Sequence, residues 1–380
     1  MPLFLLMFFL LYGALHFYLL VKARQAFAWG MAFTIPLVLF MLLMICAPLI
    51  VYFSEKHGFL SWARSLSFVG YCWMGFVFLC FCCLIVIDLF RLLVFAGGLV
   101  FPAPFAALAP SPKYYFPVSV LLSLAIALYG YSEAQNIRTE RVFLSSSKIP
   151  REAGRLKIVQ ISDVHLGMIV REARLSRILR EVKKADPDLF ISTGDLVDGQ
   201  INKLLGLAEI FREINPRYGK FAITGNHEFY AGLAQSLDFT RQAGFTLLRG
   251  EGLTVAGLIN LVGVDDPAGK GFGLYREASE KELFSKLPRE KFTILLKHRP
   301  EVEKTALESF DLQISGHTHQ GQIFPFRLLT RIFYPYYGGS FRLPPHASLH
   351  VSRGSGTWGP PIRFLSPPEI TVYELFHEEK

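Results

Sequence analysis

Charge is nearly missing from the first third of this 380-residue sequence. Between residues 1 and 131 only Lys22, Arg24, Glu55, Lys56, Arg64, Asp88, Arg91 and Lys113 carry it, although 18% of the whole chain is charged. That asymmetry, with 52% hydrophobic residues overall, excludes a wholly soluble globule, a disordered chain and a collagen-like fibre. Cysteine is scarce too, and Cys46, Cys72, Cys80, Cys82 and Cys83 all fall in the apolar part. The polar part therefore has no disulfide and no thiolate metal ligand. In the apolar part the thiols read as small packing groups. The basic surplus is modest: a net charge of +8 divides equally on either side of residue 131. It is too diffuse for a nucleic-acid footprint, so no nucleic-acid partner is expected.

What fills the first third is apolar length. A bilayer-spanning helix needs about 20 mostly apolar residues. Residues 3–21, 27–53, 66–87 and 114–131 form runs of about that length without an interior charge. With no water in the bilayer core to satisfy the backbone, they predict about four membrane helices. The first run has no basic residue before it and no small-residue cleavage pattern, so it reads as a span rather than a signal. Residues 92–109 are apolar as well, but Gly97, Gly98, Pro102, Pro104 and Pro110 suit a broken or re-entrant segment better. With four spans, Lys56, Arg64, Arg138, Arg141, Lys148 and Arg151 share one side, against Lys22, Arg24, Arg91 and Lys113. The balance leans the polar domain to the cytoplasmic side of a multi-pass inner-membrane protein. Asp88 and Arg91, three apart, are expected to pair on one helix face near an interface.

Residues 132–155 read as a polar, basic connector, with Ser145, Ser146, Ser147 and Pro150 marking a loop. The domain proper, 156–380, opens with a strand-like run at 156–162. Helical spacing follows at Leu175, Ile178, Leu179 and Val182. Further strands are expected at 189–193, 221–224, 292–296 and 312–315. Helices are expected around 203–214, 231–243 and 277–286, a hairpin around 245–264, and a Gly-rich loop at 268–273. Alternating strands and helices point to a layered α/β fold.

The informative residues lie immediately after the strands. Asp163-Val-His165 follows the first, Gly194-Asp195 the second and Gly225-Asn226-His227-Glu228 the third. Lys297-His298 and Gly316-His317-Thr318-His319 follow the last two. Five strands thus deliver Asp, His or Asn to one edge, where open α/β folds place their sites. Residues two apart on an extended chain project to the same side, so Asp163 with His165, and His317 with His319, reach one cavity in pairs. The donors are oxygen and imidazole without sulfur, which suits Mn, Fe or Zn. Two Asp, four His and one Asn exceed the needs of one ion. A carboxylate shared by two ions is an arrangement that activates water for attack on a phosphoester.

In this order, these residues resemble the signature of the calcineurin-like metallophosphoesterase superfamily over roughly residues 156–376. Gly263-Val-Asp-Asp-Pro267, Gly356-Thr-Trp-Gly-Pro-Pro-Ile-Arg363 and Pro367-Pro-Glu-Ile370 are similar to its YkuE/YaeI-like membrane-associated bacterial branch. The resemblance implies a four-layer α/β/β/α domain after the helical membrane region, with two divalent metal ions, Mn foremost and Fe or Zn as alternatives. It implies that Asp163, His165 and His319 hold one ion, that Asn226, His298 and His317 hold the other, and that Asp195 bridges them. It makes His227 the catalytic histidine near the scissile phosphate. Glu228 and Asp198 read as groups that orient ligands.

Gly269-Lys-Gly-Phe-Gly273 lacks the spacing of a phosphate-binding loop and reads as a flexible surface loop. In 324–342, Phe324, Phe326, Phe333, Tyr334, Tyr336, Tyr337 and Phe341 interleave with Arg327, Arg331 and Arg342. That mixture suits a lipid interface or rings packed under a long loop. The leading expectation is a phosphoesterase anchored in a lipid bilayer and acting on a lipid-linked phosphodiester, phosphomonoester or pyrophosphate. The alternatives are a hydrolase of soluble phosphodiesters such as cyclic nucleotides, and a non-catalytic membrane scaffold with a structural metal site.

Overall fold

The computed structural model describes residues 2–100, 108–199 and 205–378. The chain divides into two compact units, residues 1–132 with 359–364, and residues 133–358 with 365–380.

The first unit is built on four helices, α1 (Pro2–Phe27), α2 (Met31–Lys56), α3 (Leu60–Val100) and α4 (Pro112–Ala134). All four are long and apolar enough to cross a membrane. α3 has 41 residues, and at 1.5 Å per residue it extends roughly 60 Å, twice a hydrocarbon core. Residues 92–100 continue this helix rather than starting a broken segment, because Gly97 and Gly98 are tolerated where no proline interrupts. Residues 101–107 of the expected re-entrant stretch lie outside the described residues. The bundle's outer faces are apolar, with Phe33, Leu93 and Phe95 exposed, as lipid-facing surfaces require.

Its interior carries a few satisfied polar groups. Asp88 pairs with Lys22 of α1 at 2.6 Å and accepts a hydrogen bond from Tyr18 at 2.7 Å. The pairing expected with Arg91 is replaced by this one, since α1 brings an ammonium closer, and Arg91 donates instead to Tyr115 of α4 at 3.1 Å. His16 donates through Nδ1 to the Tyr12 carbonyl and accepts from Trp73 at 2.8 Å. Residues 359–364 belong to this unit. Their Ile362 lies where a Cβ on Gly75 or Gly130 would stand, and the Arg363 amide donates to the Gly130 carbonyl at 2.9 Å.

The second unit contains two six-stranded sheets. The first uses β1 (Arg138–Ser146), β2 (Arg155–Ile161), β3 (Leu189–Ser192), β4 (Lys220–Ala222), β5 (Thr246–Leu247) and, from the far end of the chain, β12 (Glu369–His377). Their order is β1-β12-β2-β3-β4-β5, with β2 to β5 parallel. The second uses β6 (Glu251–Val255), β7 (Ile259–Gly263), β8 (Phe292–Leu296), β9 (Leu312–Ser315), β10 (Gly339–Leu343) and β11 (Ala347–Val351) in the order β10-β11-β9-β8-β7-β6. Helices α5 (Glu172–Ala185), α6 (Leu205–Arg212), α7 (Asn226–Ala231), α8 (Leu233–Gln242), α9 (Glu280–Ser285) and α10 (Phe326–Phe333) complete it.

Period-two alternation sorts the strand residues into three cores. Ile158, Ile191, Ile294 and Ile314 meet between the sheets. Val159, Ile161 and Phe190 face α5, α6 and α8, where Leu175, Ile178, Phe211 and Phe239 pack. Leu295 and Val262 face Leu283 and Phe284 of α9. The result is the α/β/β/α layering.

The sequence expectations differ from the structure at several places. Much of the expected connector 132–155 is β1, because Val142 and Leu144 alternate with exposed residues and pack on the inter-sheet core. The expected hairpin at 245–264 is divided: β5 joins the first sheet while β6 and β7 pair in the second. The Gly-rich loop is a 3-10 turn at Pro267–Phe272, its start capped by Asp266, with Gly269 tight against Phe229. Residues 203–204 of the expected helix 203–214 lie outside the described residues.

The ion pair across α1 and α3 gives a stability test. Asp88→Ala leaves the Lys22 ammonium and Tyr18 hydroxyl without their acceptor, so unfolding in detergent should become easier by about 1–3 kcal/mol. The double variant Lys22→Met with Asp88→Leu should recover most of that loss in a thermal melt.

Candidate metal centre

Five parallel strands, β2, β3 and β4 of one sheet and β8 and β9 of the other, end in the loops that carry the candidate ligands. Those loops turn sharply. Asp163, His165, Asp195, His317 and His319 all have positive φ, between 47° and 71°. Left-handed backbone at residues other than glycine costs of order 1 kcal/mol or more each, and such strain clusters at functional sites. Two glycines make the close approach possible. A Cβ on Gly316 would stand 1.9 Å from Ser162 Oγ, and one on Gly225 would stand 2.2 Å from Asp195 Oδ1.

Asp163, His165 and His319 bring one ligand atom each to within 4.8 Å of one another, and Asp195, His298 and His317 do the same. The two sets are adjoining. His165 Nε2 lies 3.0 Å from His319 Nε2 and 3.8 Å from Asp195 Oδ2. His298 Nε2 lies 3.2 Å from Asp195 Oδ2 and 3.2 Å from His317 Nδ1. His227 forms a third set with His165 and Asp195. Asn226 opens α7, next to the His227 amide that donates to Asp195 Oδ1 at 2.8 Å.

A surrounding layer fixes these side chains. The Thr193 carbonyl accepts from His298 Nδ1 at 2.8 Å, which turns Nε2 toward Asp195. Tyr334 is hydrogen-bonded to His317 Nε2 at 2.9 Å, which leaves Nδ1 facing His298. Asp163 accepts from the His317 amide at 3.0 Å and from Ser162 Oγ. The buried carboxylate of Glu228 accepts from the amides of Asp195, Leu196 and Gly225 at 2.9, 2.8 and 2.6 Å. It thereby fixes the loop that carries Asp195. Asp198 bonds His227 Nδ1 at 2.9 Å, and the rings of Trp358 and Tyr230 stand against the same imidazole. Asp266 holds Arg299, the residue after His298, through two hydrogen bonds of 2.8 and 3.0 Å.

The family model for the calcineurin-like phosphoesterases matches residues 156–321, which span the seven candidate ligands and His227 but not Tyr334 or Trp358. A metallophosphoesterase of Aquifex aeolicus (strain VF5) is 39% identical over 258 residues, 67% of this chain and 98% of that protein. The chain belongs to the calcineurin-like metallophosphoesterases. The metallophosphoesterase YkuE of Bacillus subtilis (strain 168) is 31% identical across 65% of this chain and 89% of its own length. A transmembrane protein with a metallophosphoesterase domain from Danio rerio is 31% identical across 67% of this chain and 61% of its own. With the four apolar helices, such relatives indicate that this metallophosphoesterase is a membrane protein.

Enzymes of this fold use a pair of divalent metal ions, and the residues of this metallophosphoesterase fit such a pair. The donor set is carboxylate, imidazole and amide oxygen, as hard to borderline divalent cations prefer. Among the described residues, the buried Asn226 Oδ1 and His165 Nδ1 find no hydrogen-bond partner. The electrostatics are consistent with a cation site. Burial opposes ionisation of Asp195, yet the imidazoles of His298 and His227 hold it well below the usual carboxylate range. Burial and then the neighbouring His227 lower His165 to about 4, which keeps it neutral and able to ligate. Burial and then Asp195 push Glu228 up to about 7, against the pull of the amides it binds.

Sequence reasoning missed Tyr334, Tyr230, Thr193 and Ser162 as members of this layer. Tyr334 was visible only as one ring in an aromatic stretch, and the others carried no local signal. Glu228→Gln replaces an acceptor oxygen with a donor facing backbone amides. Manganese affinity of the full-length protein, measured by calorimetry in detergent, should fall about 10–100-fold while circular dichroism stays unchanged.

Proposed function

We propose that the chain hydrolyses a lipid-linked phosphodiester, phosphomonoester or pyrophosphate while anchored in a bilayer. The observation that carries this reading is Asp195, a buried carboxylate close to ligand atoms of both sets and bonded to the amide of His227. In this reading Asp163, His165 and His319 hold one cation, Asn226, His298 and His317 hold the second, and Asp195 is shared. Manganese suits these donors, with iron and zinc as alternatives. Two such cations would supply Lewis acidity at the phosphoryl oxygens and lower the pKa of water.

The chain's own residues supply orientation and a proton. Burial opposes charge on His227, but the carboxylates of Asp195 and Asp198 raise its pKa to about 9, so the ring is protonated at neutral pH. With Nδ1 bonded to Asp198, Nε2 is the nitrogen that donates to the leaving oxygen. The rings of Tyr230 and Trp358 stand edge-on to that imidazole, whose side chain is 12% exposed, and a largely buried ring interacts more strongly with developing negative charge. The four apolar helices and the Arg-rich aromatic segment 324–342 support a lipid-linked substrate. The reading extends to a multi-pass inner-membrane protein whose catalytic domain, residues 156–380, faces the cytoplasm. The Lys and Arg excess on that side supports it.

Full-length protein in detergent with manganese should hydrolyse bis(p-nitrophenyl) phosphate, with phospholipids and nucleotide-linked lipids competing. Competition by soluble nucleotides alone would favour the cyclic-nucleotide alternative. His227→Gln should retain its metal and lose about 10²–10⁴ in kcat; wild-type turnover would remove His227 from the mechanism.

The acid role also fixes a pH dependence. His227 must be protonated to donate, so kcat should fall as pH rises through about 9. Asp198→Asn removes a charge and a bond that hold the proton, and should move this alkaline limb to lower pH.

A further inference from the structure

α10 presents half of its circumference as bare hydrocarbon. At 100° per residue, Leu328, Leu329, Ile332 and Phe333 occupy one side of the helix, with Phe326 at its margin. Leu328, Ile332 and Phe333 are 58%, 75% and 71% exposed. On the opposite half Thr330 is buried, and the exposed Arg331 flanks the apolar arc. A soluble domain that packs only on itself has no use for such a face. The arrangement matches an amphipathic helix lying in a lipid interface, with side chains among the acyl chains and a cation at the headgroups.

The occupant follows from charge and tethering. An arginine beside large apolar side chains complements an anionic headgroup above hydrocarbon. Because the same chain carries four apolar helices, a bilayer is held at high effective concentration near α10. α10 is no detached flap. The residue that follows it, Tyr334, donates its amide to the Thr330 carbonyl at 2.8 Å and is hydrogen-bonded to His317 at 2.9 Å. A lipid-seated α10 therefore holds Tyr334 and the His317 side of the candidate metal centre close to the lipid–water boundary.

We propose that α10 docks into the surface of an anionic lipid bilayer through Leu328, Leu329, Ile332 and Phe333, with Arg331 on the headgroups. Only the consequence for substrate choice rests on the function proposed above: a phosphoester of a membrane lipid reaches the site without leaving the interface.

The test reads docking separately from catalysis. Full-length protein is placed in nanodiscs of phosphatidylcholine alone or with phosphatidylglycerol added, and amide hydrogen exchange is followed over residues 326–333. Exchange should slow when phosphatidylglycerol is present, and soluble glycerophosphate should not reproduce the effect. Arg331→Glu should abolish the difference between the two lipids. Ile332→Asp, at an exposed position, should remove the protection in both. Equal exchange in the two lipids, unaltered by either variant, overturns the docking and leaves the face to another partner. In parallel, Ile332→Asp should leave hydrolysis of bis(p-nitrophenyl) phosphate unchanged and lower hydrolysis of a phosphoester lipid in vesicles at least tenfold. Absence of hydrolysis in every variant and the parent would sink the phosphoesterase reading while leaving the exchange result intact.

Discussion

Asp195 has to be buried, ionised and within reach of imidazoles from both sheets at once, and much of the second unit serves that requirement. Burying a carboxylate is costly unless partners meet it. Here the partners are the His227 amide, the His298 ring and the His165 ring. The turn that presents it is left-handed at a residue with a side chain, and Glu228 from beneath takes up the amides that such a turn leaves pointing inward. Gly225 then has to lack a Cβ, because the carboxylate occupies that space. The strain, the buried acid and the glycine form one device spread over β3, β4 and α7.

The same logic explains which parts of this structure were legible beforehand. Strands β2, β3, β8 and β9 announced themselves as short apolar runs, and the residues that follow them are of types a surface loop seldom needs together. Their convergence at one edge is the generic behaviour of parallel strands. The membrane helices were equally plain, since uncharged apolar runs of that length are at home only in a bilayer. Long-range pairing was not legible. β1 lies beside β12, more than two hundred residues away, and a polar strand with only Val142 and Leu144 facing inward resembles a linker locally. Asp88 found Lys22 on another helix rather than Arg91 on its own, because spacing along one helix says nothing about neighbouring ones. Tyr334 and Tyr230 reach the metal centre through tertiary structure alone.

The two units solve opposite solvent problems with related means. In the helical unit the exterior is apolar, and polar groups such as Tyr18, Lys22 and Asp88 meet one another inside the bundle. In the α/β unit several buried charged groups meet at the candidate site and pairs such as Arg249 with Asp265 brace loops near it, while others, such as Lys220 and Glu374, are satisfied elsewhere. α10 departs from both patterns, being apolar outward on a domain whose surface is otherwise mixed.

The position of β12 has a consequence for biosynthesis. This strand lies between β1 and β2, which are made some two hundred residues earlier. Until it arrives, β2 presents an unpaired edge and β1 has no neighbour at all. The four helices precede the enzyme half in the chain and can enter a bilayer while it is still open, so closure must wait until β12 has been made. A chain cut short before β12 would therefore keep its apolar helices but carry a vacant slot in its first sheet, an invitation to edge-to-edge association between neighbouring nascent chains.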